Sequence, residues 1–343
     1  MRVLVTGGAG FIGANFVRRT LATRPEVQVT VLDALTYAAN PESLAGLDPQ
    51  RFELVEGDVC DASLVDAQIR RLDPARDAVV HFAAESHNDN SLRDPLAFVR
   101  TNVDGTATLA LACARAGVRL HHISTDEVFG DLALDDPARF TPDTPYRPSS
   151  PYSASKAASD HLVRAFVRSM GLRATISNCS NNYGPLQHPE KFIPRQIIGL
   201  LNGELPRVYG TGENVRDWIH VDDHNDAVWT ILERGEIGRT YLIGADGERS
   251  NLDVVRALNW AFGRDAGDFV RVTDRPGHDR RYAIDPASTR ALGWRPRWTD
   301  FGAGLQATVE WYRDHPRWWR EASAAAEARY AETEQELQWP QSG

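Results

Sequence analysis

Tyr152 and Lys156 stand four residues apart in Ser150-Pro151-Tyr152-Ser153-Ala154-Ser155-Lys156, a spacing that puts both side chains on one helix face. A phenol titrates near pH ~10 and is a poor base at neutral pH. A cation beside it favours the phenolate and lowers that value, which lets the phenol take a proton from a hydroxyl. Ser124 and Thr125 end a short β-branched run and supply a hydroxyl, and two carboxylates, Asp126 and Glu127, follow at once. A lone Tyr-x-x-x-Lys is commonly an exposed helix pair, and an isolated Asp-Glu an acidic loop. Their occurrence together suits general acid–base chemistry.

A second motif says what such a base would work with. Thr6-Gly7-Gly8-Ala9-Gly10-Phe11-Ile12-Gly13 follows a strand-like run and opens a helical one, and Asp33 ends the next strand twenty positions further on. Glycines allow a tight turn and close approach of backbone to a pyrophosphate, whose charge then meets the unpaired N–H groups of the helix start. Asp33 is placed to accept hydrogen bonds from the adenosine ribose and to repel a 2′-phosphate, so NAD is favoured over NADP. Asp58, at the end of the third strand, is either an adenine-edge contact or a turn cap before Asp61. Gly7, Gly10, Phe11, Ile12, Gly13, Asp33, Asp58, Val59, Ala83, Tyr152 and Lys156 are the expected cofactor contacts. The positive nicotinamide adds to the lysine in favouring the Tyr152 phenolate, which then deprotonates a sugar hydroxyl as hydride leaves.

The elements that carry these residues alternate. Arg2 to Thr6, Val27 to Leu32, Phe52 to Glu56, Ala78 to Phe82, Leu120 to Ser124 and Arg173 to Asn178 read as buried strands. Phe11 to Thr23, Ala62 to Leu72, Leu96 to Ala116 and Tyr152 to Met170 read as helices. The alternation predicts a doubly wound parallel α/β sheet of Rossmann type. From residue 180 the texture turns to Asn, Pro, Gly and aromatic residues, with helices at Ile193 to Leu201, Asp222 to Arg234, Asn251 to Phe262, Pro286 to Leu292 and Phe301 to Arg313, and a strand at Thr240 to Ile243. The expected organisation is a dinucleotide domain over residues 1–178, rejoined at about 220–245, and a smaller, discontinuous substrate lobe over 179–219 and 246–320. Residues 321–343 read as a peripheral tail, a helix or frayed end without chemistry.

The 343 residues are 42% hydrophobic and 25% charged, with a formal charge of -9, which argues against broad nucleic-acid binding. An anionic substrate needs a local basic cluster within this acidic chain. Cys60, Cys113 and Cys179 are scattered without a Cys-x-x-Cys pair, so reduced thiols are expected and no metal. No signal peptide and no apolar run of ~20 residues stands in the sequence, and the default address is the cytoplasm, with no membrane partner.

The glycine fingerprint, the Tyr152/Lys156 pair and the layout resemble the extended short-chain dehydrogenase/reductase family. More narrowly, the chain resembles the dTDP-glucose 4,6-dehydratases. The segments that carry the likeness include His81-Phe82-Ala83-Ala84-Glu85-Ser86-His87, Ser124-Thr125-Asp126-Glu127-Val128-Phe129-Gly130 and Asn178-Cys179-Ser180-Asn181-Asn182-Tyr183-Gly184-Pro185. Pro189-Glu190-Lys191, Arg216-Asp217-Trp218 and the run from Arg275 to Tyr282 complete them. The resemblance implies a resident NAD, regenerated at each turnover, and a homodimer bundled through helices Leu96 to Ala116 and Tyr152 to Met170.

Within that family Thr125-Asp126-Glu127 discriminates. An epimerase or reductase needs the hydroxyl beside the tyrosine but not two carboxylates after it. A dehydratase needs both, because oxidation at C4 of a hexose acidifies the C5 hydrogen. A base must then remove that proton while an acid protonates the departing C6 hydroxyl. The resemblance makes Glu127 the base and Asp126 the acid, with a pKa raised by desolvation and by Glu127. Hydride then returns to C6, leaving a 4-keto-6-deoxy sugar.

On the substrate side the resemblance implies contacts from Glu85, Ser86, Thr125, Asn181, Lys191, Arg216, Asn251, Arg275 and His278. Arg216 is the leading diphosphate ligand, since guanidinium binds phosphate oxygens bidentately. Two departures from the family pattern bear on the sugar contacts. Asn88-Asp89-Asn90-Ser91 replaces the usual Val-Asp-Arg-Ser, and Phe129 stands where tyrosine is usual. A 4,6-dehydratase or epimerase acting on a UDP- or CDP-linked hexose remains the alternative, with Asp126-Glu127 counting against the epimerase. A non-catalytic NAD-binding regulator is a remote one, since Tyr152, Lys156 and the carboxylate pair are intact.

Overall fold

The computed structural model describes residues 1–274 and 278–331. At its centre seven parallel strands run side by side in the order Thr240–Ile243, Ala174–Cys179, Arg119–Thr125, Ala78–His81, Arg2–Thr6, Gln28–Asp33 and Phe52–Glu56. Helices cover both faces, so the inner strands are continuous apolar runs rather than alternating ones; every residue of Ala78–His81 is buried. Helices Phe11–Thr23 and Val221–Arg234 pack Phe16, Val17, Val228 and Ile231 on one face. Ala62–Ile69, Thr106–Ala116 and Pro151–Met170 pack Val65, Leu109, Cys113 and Val163 on the other.

Strand order reverses at Arg2–Thr6. The second and third strands lie to one side of it, and Ala78–His81 with the later strands to the other. The carboxyl ends of Arg2–Thr6 and Ala78–His81 therefore open a crevice, the place where such sheets receive ligands.

Residues beyond Cys179 add a second layer of structure over that crevice. Asn181–Tyr183, Val215–His220 and Glu248–Ser250 form a three-stranded sheet, and Arg207–Tyr209 pairs with Val270–Val272. Helices Phe192–Leu201, Asn251–Ala261 and Phe301–Asp314 close on a separate core containing Tyr183, Ile193, Leu258 and Tyr312. No helix among the described residues is long and apolar enough to cross a membrane.

Three local differences from the sequence reading have physical causes. The run expected as one helix from Leu96 is helical in three parts, Pro95–Phe98, a π-helical Val99–Gly105, and Thr106–Ala116. The wider segment holds buried Asn102, which accepts from the Glu85 N–H and donates to the Glu85 carbonyl and to Ser155. Apolar spacing does not distinguish a π turn from an α turn. A short helix, Asn88–Arg93, was not anticipated, because six residues with a single apolar one, Leu92, carry no amphipathic signal.

The third difference is the tail. Its described part forms helix Pro316–Tyr330 and is not peripheral: Glu327 pairs doubly with Arg195 at 2.6 and 2.9 Å, and the Tyr330 hydroxyl donates to the Glu190 carbonyl at 2.8 Å.

Candidate active site

The glycine turn is built as its chemistry requires. Gly7 has φ +70°, and a Cβ there would lie 2.5 Å from the Ala83 nitrogen; one on Gly13 would lie 2.2 Å from the Gly7 oxygen. A side chain at either position would block the crevice or break the turn. Gly10 caps helix Phe11–Thr23 without a side chain of its own, leaving the first-turn N–H groups to face a ligand. Asp33 accepts from Ala9 N–H at 2.8 Å and Leu35 N–H at 2.9 Å, tying the turn to the second strand. Burial raises its pKa and those two donors oppose the rise. Asp58 is in part the turn cap, accepting from the Cys60 N–H at 2.9 Å. Both nonetheless line one long cleft with Gly7, Gly10, Phe11, Ile12, Gly13, Val59, Ala83, Tyr152 and Lys156. Buried Ser124 Oγ and Ser180 Oγ face it without a protein partner. The cradle, the ribose-side carboxylate and these hydroxyls fit a nicotinamide dinucleotide.

Tyr152 and Lys156 arrive on helix Pro151–Met170, whose start is fixed by Pro151 and by a reciprocal cap between Ser150 and Ser153. Lys156 Nζ donates to the Ile123 carbonyl at 2.8 Å, and burial lowers its pKa to about 8. Burial pushes the Tyr152 phenol well above its usual value, and Glu127 adds to the push, with the Thr125 hydroxyl opposing. The lysine was expected to lower this phenol; one of its three donors goes to the strand carbonyl. An oxidised nicotinamide ring, when bound, would add positive charge that favours the phenolate.

Thr125 ends its strand and caps the short 3₁₀ turn Asp126–Phe129. That turn separates the two adjacent carboxylates. Asp126 is 2% exposed, and its Oδ2 has no hydrogen-bond partner. Burial holds its pKa well above the carboxylate range, and Glu127 and then Asp217 push it further. Glu127 opens onto the cleft and accepts from Asn88 Nδ2 at 2.9 Å. Burial raises it too, but Asn88, Arg216 and Lys191 act against the rise. Asp126 thus has one oxygen without a partner and a long 3.3 Å bond from the Thr125 hydroxyl on the other, whereas Glu127 has a 2.9 Å amide donor, an asymmetry of the kind that separates an acid from a base.

A second cleft joins the first at Ser86, Glu127, Asn181 and Lys191, and reaches Arg216, Asn251 and His278. Glu85 lines the cofactor side. Lys191 donates to the Ser86 carbonyl at 2.9 Å. The Arg216 guanidinium lies 4.3 Å from the Tyr282 ring and donates to the Val215 and Asp279 carbonyls. His278 sits 2.7 Å from Asp274. Arg275 lies outside the described residues. All the other expected site residues border these two clefts.

Sequence reasoning singled out Asn88 only as a departure bearing on the sugar contacts and missed Glu190, Arg195, Tyr282 and Tyr330; all five line the second cleft. Glu190 and Tyr282 lay inside motifs already singled out. Tyr330 carried no signal, since only the return of the last helix brings it there. Of the two departures, Phe129 packs against Phe140 and Tyr146 in a small buried cluster, and Asn90 donates to Tyr37.

The fold and the Thr–Tyr–Lys site define an NAD-dependent enzyme of the extended short-chain dehydrogenase/reductase class. The family model described as GDP-mannose 4,6 dehydratase matches residues 4–308. The chain is 62% identical over 333 residues to a dTDP-glucose 4,6-dehydratase of Mycobacterium tuberculosis (strain ATCC 25618 / H37Rv), covering 97% of this chain and 99% of that one. DesIV, a dTDP-glucose 4,6-dehydratase from Streptomyces venezuelae solved with NAD and dTDP bound, superposes with a TM-score of 0.88 at 46% identity, over 94% of this chain and 100% of that one. A UDP-glucose 4-epimerase from Thermotoga maritima also superposes, with a TM-score of 0.83 at 28% identity, over 92% of this chain and 99% of that one. The fold alone therefore does not choose the reaction. The chain belongs to the GDP-mannose 4,6 dehydratase family and, within it, to the dTDP-glucose 4,6-dehydratases.

Proposed function

We propose that this protein converts dTDP-glucose to dTDP-4-keto-6-deoxyglucose, with Tyr152, Asp126 and Glu127 dividing the proton transfers. The observation that carries the reading is the buried Asp126, its Oδ2 without a partner, beside an Asn88-bonded Glu127 at the junction of the two clefts. NAD, when bound, supplies a hydride acceptor for C4 and the same hydride for C6.

Tyr152 takes the proton of the C4 hydroxyl, with Thr125 as its hydroxyl neighbour and Lys156 anchored below. Glu127 then removes the C5 proton, made acidic by the adjacent ketone, and Asp126 gives its proton to the leaving C6 hydroxyl, which departs as water. Glu127 returns a proton to C5. Lys191, Arg216 and Asn251 hold the nucleoside diphosphate, and buried Arg216 suits the phosphates because its stacked, anchored guanidinium is already oriented. Gly7, Gly10 and Gly13 hold the pyrophosphate of the cofactor, and Asp33 its ribose.

The assembly we propose is a homodimer through helix Pro151–Met170 and the helical run beside it. Supporting it, Leu92, Leu96 and Val99, close together in the run beside that helix, are 57%, 75% and 44% exposed, and exposed apolar side chains in series suit a contact surface. Sedimentation of the purified protein tests this, and a monomer at micromolar concentration would remove it.

The reaction is tested by incubating purified protein with dTDP-glucose and following the alkali-induced absorbance of a 4-keto product. Product from UDP-glucose but none from dTDP-glucose would overturn the substrate assignment.

A further inference from the structure

Asn88 opens the short helix Asn88–Arg93, and its side-chain amide spans two functional parts. Nδ2 donates to Glu127 Oε2 at 2.9 Å, and Oδ1 accepts from the Ser150 hydroxyl, also at 2.9 Å. Ser150 is the cap of the helix that carries Tyr152 and Lys156: its Oγ accepts the Ser153 N–H at 3.1 Å, and the Ser150 N–H donates to Ser153 Oγ at 3.0 Å. The amide cannot be turned around. A carboxylate only accepts, so the NH₂ group must face Glu127, and the carbonyl is left for the serine hydroxyl. The Asn88 main-chain oxygen is held by Ser91 Oγ at 2.6 Å, so the residue is fixed at backbone and side chain alike.

We infer that Asn88, standing where the family usually has valine, is a positioning residue for Glu127 particular to this chain, a rigid link from the cap of the catalytic helix that aims the carboxylate and keeps it available as the base for water elimination. The inference rests on the assignment of Glu127 as that base. The amide bonds Oε2, and this holds the orientation of the carboxylate. The donor also favours the ionised form. Glu127 is otherwise surrounded by mixed charge: Asp126 precedes it, Asp279, Tyr152 and Tyr282 face it, and Arg216 and Lys191 supply the cations. Among these groups Asn88 is the neutral donor bonded to the carboxylate itself, and burial works against ionisation. Loss of the amide N–H therefore raises the pH at which Glu127 becomes a carboxylate, and elimination then fails at the acid end of its range.

The test is the pH dependence of single-turnover water elimination by NAD-loaded enzyme with dTDP-glucose, followed by rapid quenching and mass spectrometry. The variants are Asn88→Val, Asn88→Asp and, as control, Glu127→Gln. Asn88→Asp keeps the shape and the acceptor for Ser150 but presents a carboxylate to Glu127, so it guards against a mere packing defect in Asn88→Val. Both Asn88 variants are expected to move the acid limb upward by about one pH unit, with the rate recovering towards the parent at higher pH. An unmoved limb in both, or a uniform loss at every pH, overturns the inference. If Glu127→Gln eliminates water at the parental rate, the base assignment falls instead. If it stops elimination while the limb of the Asn88 variants stays in place, only the role of Asn88 falls.

Discussion

Lys156 and Ile123 are joined by a 2.8 Å hydrogen bond from the ammonium to the main-chain oxygen, which pins the catalytic helix to the strand that ends in Thr125. The lysine thus fixes where Tyr152 stands, whereas the phenol itself is pushed up by burial and by Glu127. Tyr152→Phe should lower the rate of C4 oxidation by roughly 10²–10⁴-fold while leaving NAD content unchanged. Quenched-flow detection of the 4-keto hexose, with NAD measured after denaturation, checks both halves. A variant within ten-fold (about 1.4 kcal/mol) of the parent would remove Tyr152 from its role.

Glu127→Gln should separate the half-reactions. The amide keeps the size of the side chain but cannot accept the C5 proton, so dTDP-4-ketoglucose should form and water should not be lost. The measurement is mass-spectrometric accumulation of the 4-keto hexose. Dehydration at the native rate would mean another group is the base.

Asp217 lies behind Asp126 and raises its pKa, and its own is raised to about 6, chiefly by burial. Asp217→Asn should therefore lower the pKa of Asp126. An acid must be protonated to act, so the alkaline limb of the elimination rate should move to lower pH. Stability moves oppositely. In the folded chain Asp217 holds its proton up to about pH 6, and in the unfolded chain only to about 3.9. The native carboxylate therefore costs stability above pH 6, and that cost fades as pH falls through this window. The asparagine variant should gain about 1–3 kcal/mol at neutral pH and nothing near pH ~3.5. Denaturant titrations at the two pH values check the sign.

Gly7→Ala should lose the cofactor. The substitution meets both a φ of +70° and an Ala83 nitrogen 2.5 Å away, so the turn must open at a cost of roughly 2 kcal/mol or more. The expected result is NAD-free protein with a lowered Tm. Retention of stoichiometric NAD would contradict the proposed cradle.

Tyr330→Phe removes the hydroxyl that ties the last helix to the Glu190 carbonyl. A hydrogen bond of this kind contributes about 1 kcal/mol, so KM for dTDP-glucose should rise about five-fold with kcat nearly unchanged. Steady-state kinetics distinguish this from a parallel fall in both constants.

The residues of the first half announced themselves because their chemistry is local. A glycine turn between strand and helix, a tyrosine and a lysine one helical turn apart, and a carboxylate pair after a strand end all depend on spacings of a few residues. Backbone geometry fixes those spacings, and family resemblance narrowed the reaction further. Tertiary structure decided what depends on distant segments meeting. It set Lys156 on Ile123, put Asn88 between Ser150 and Glu127, and brought Tyr330 back over the second cleft. It also gave neighbouring Asp126 and Glu127 different surroundings. Their two symbols in the sequence are equivalent acids; the packing of Arg216 and Asp217 from one segment and Asn88 from another gives them different surroundings, because desolvation and Coulomb interaction depend on separation in space and not along the chain.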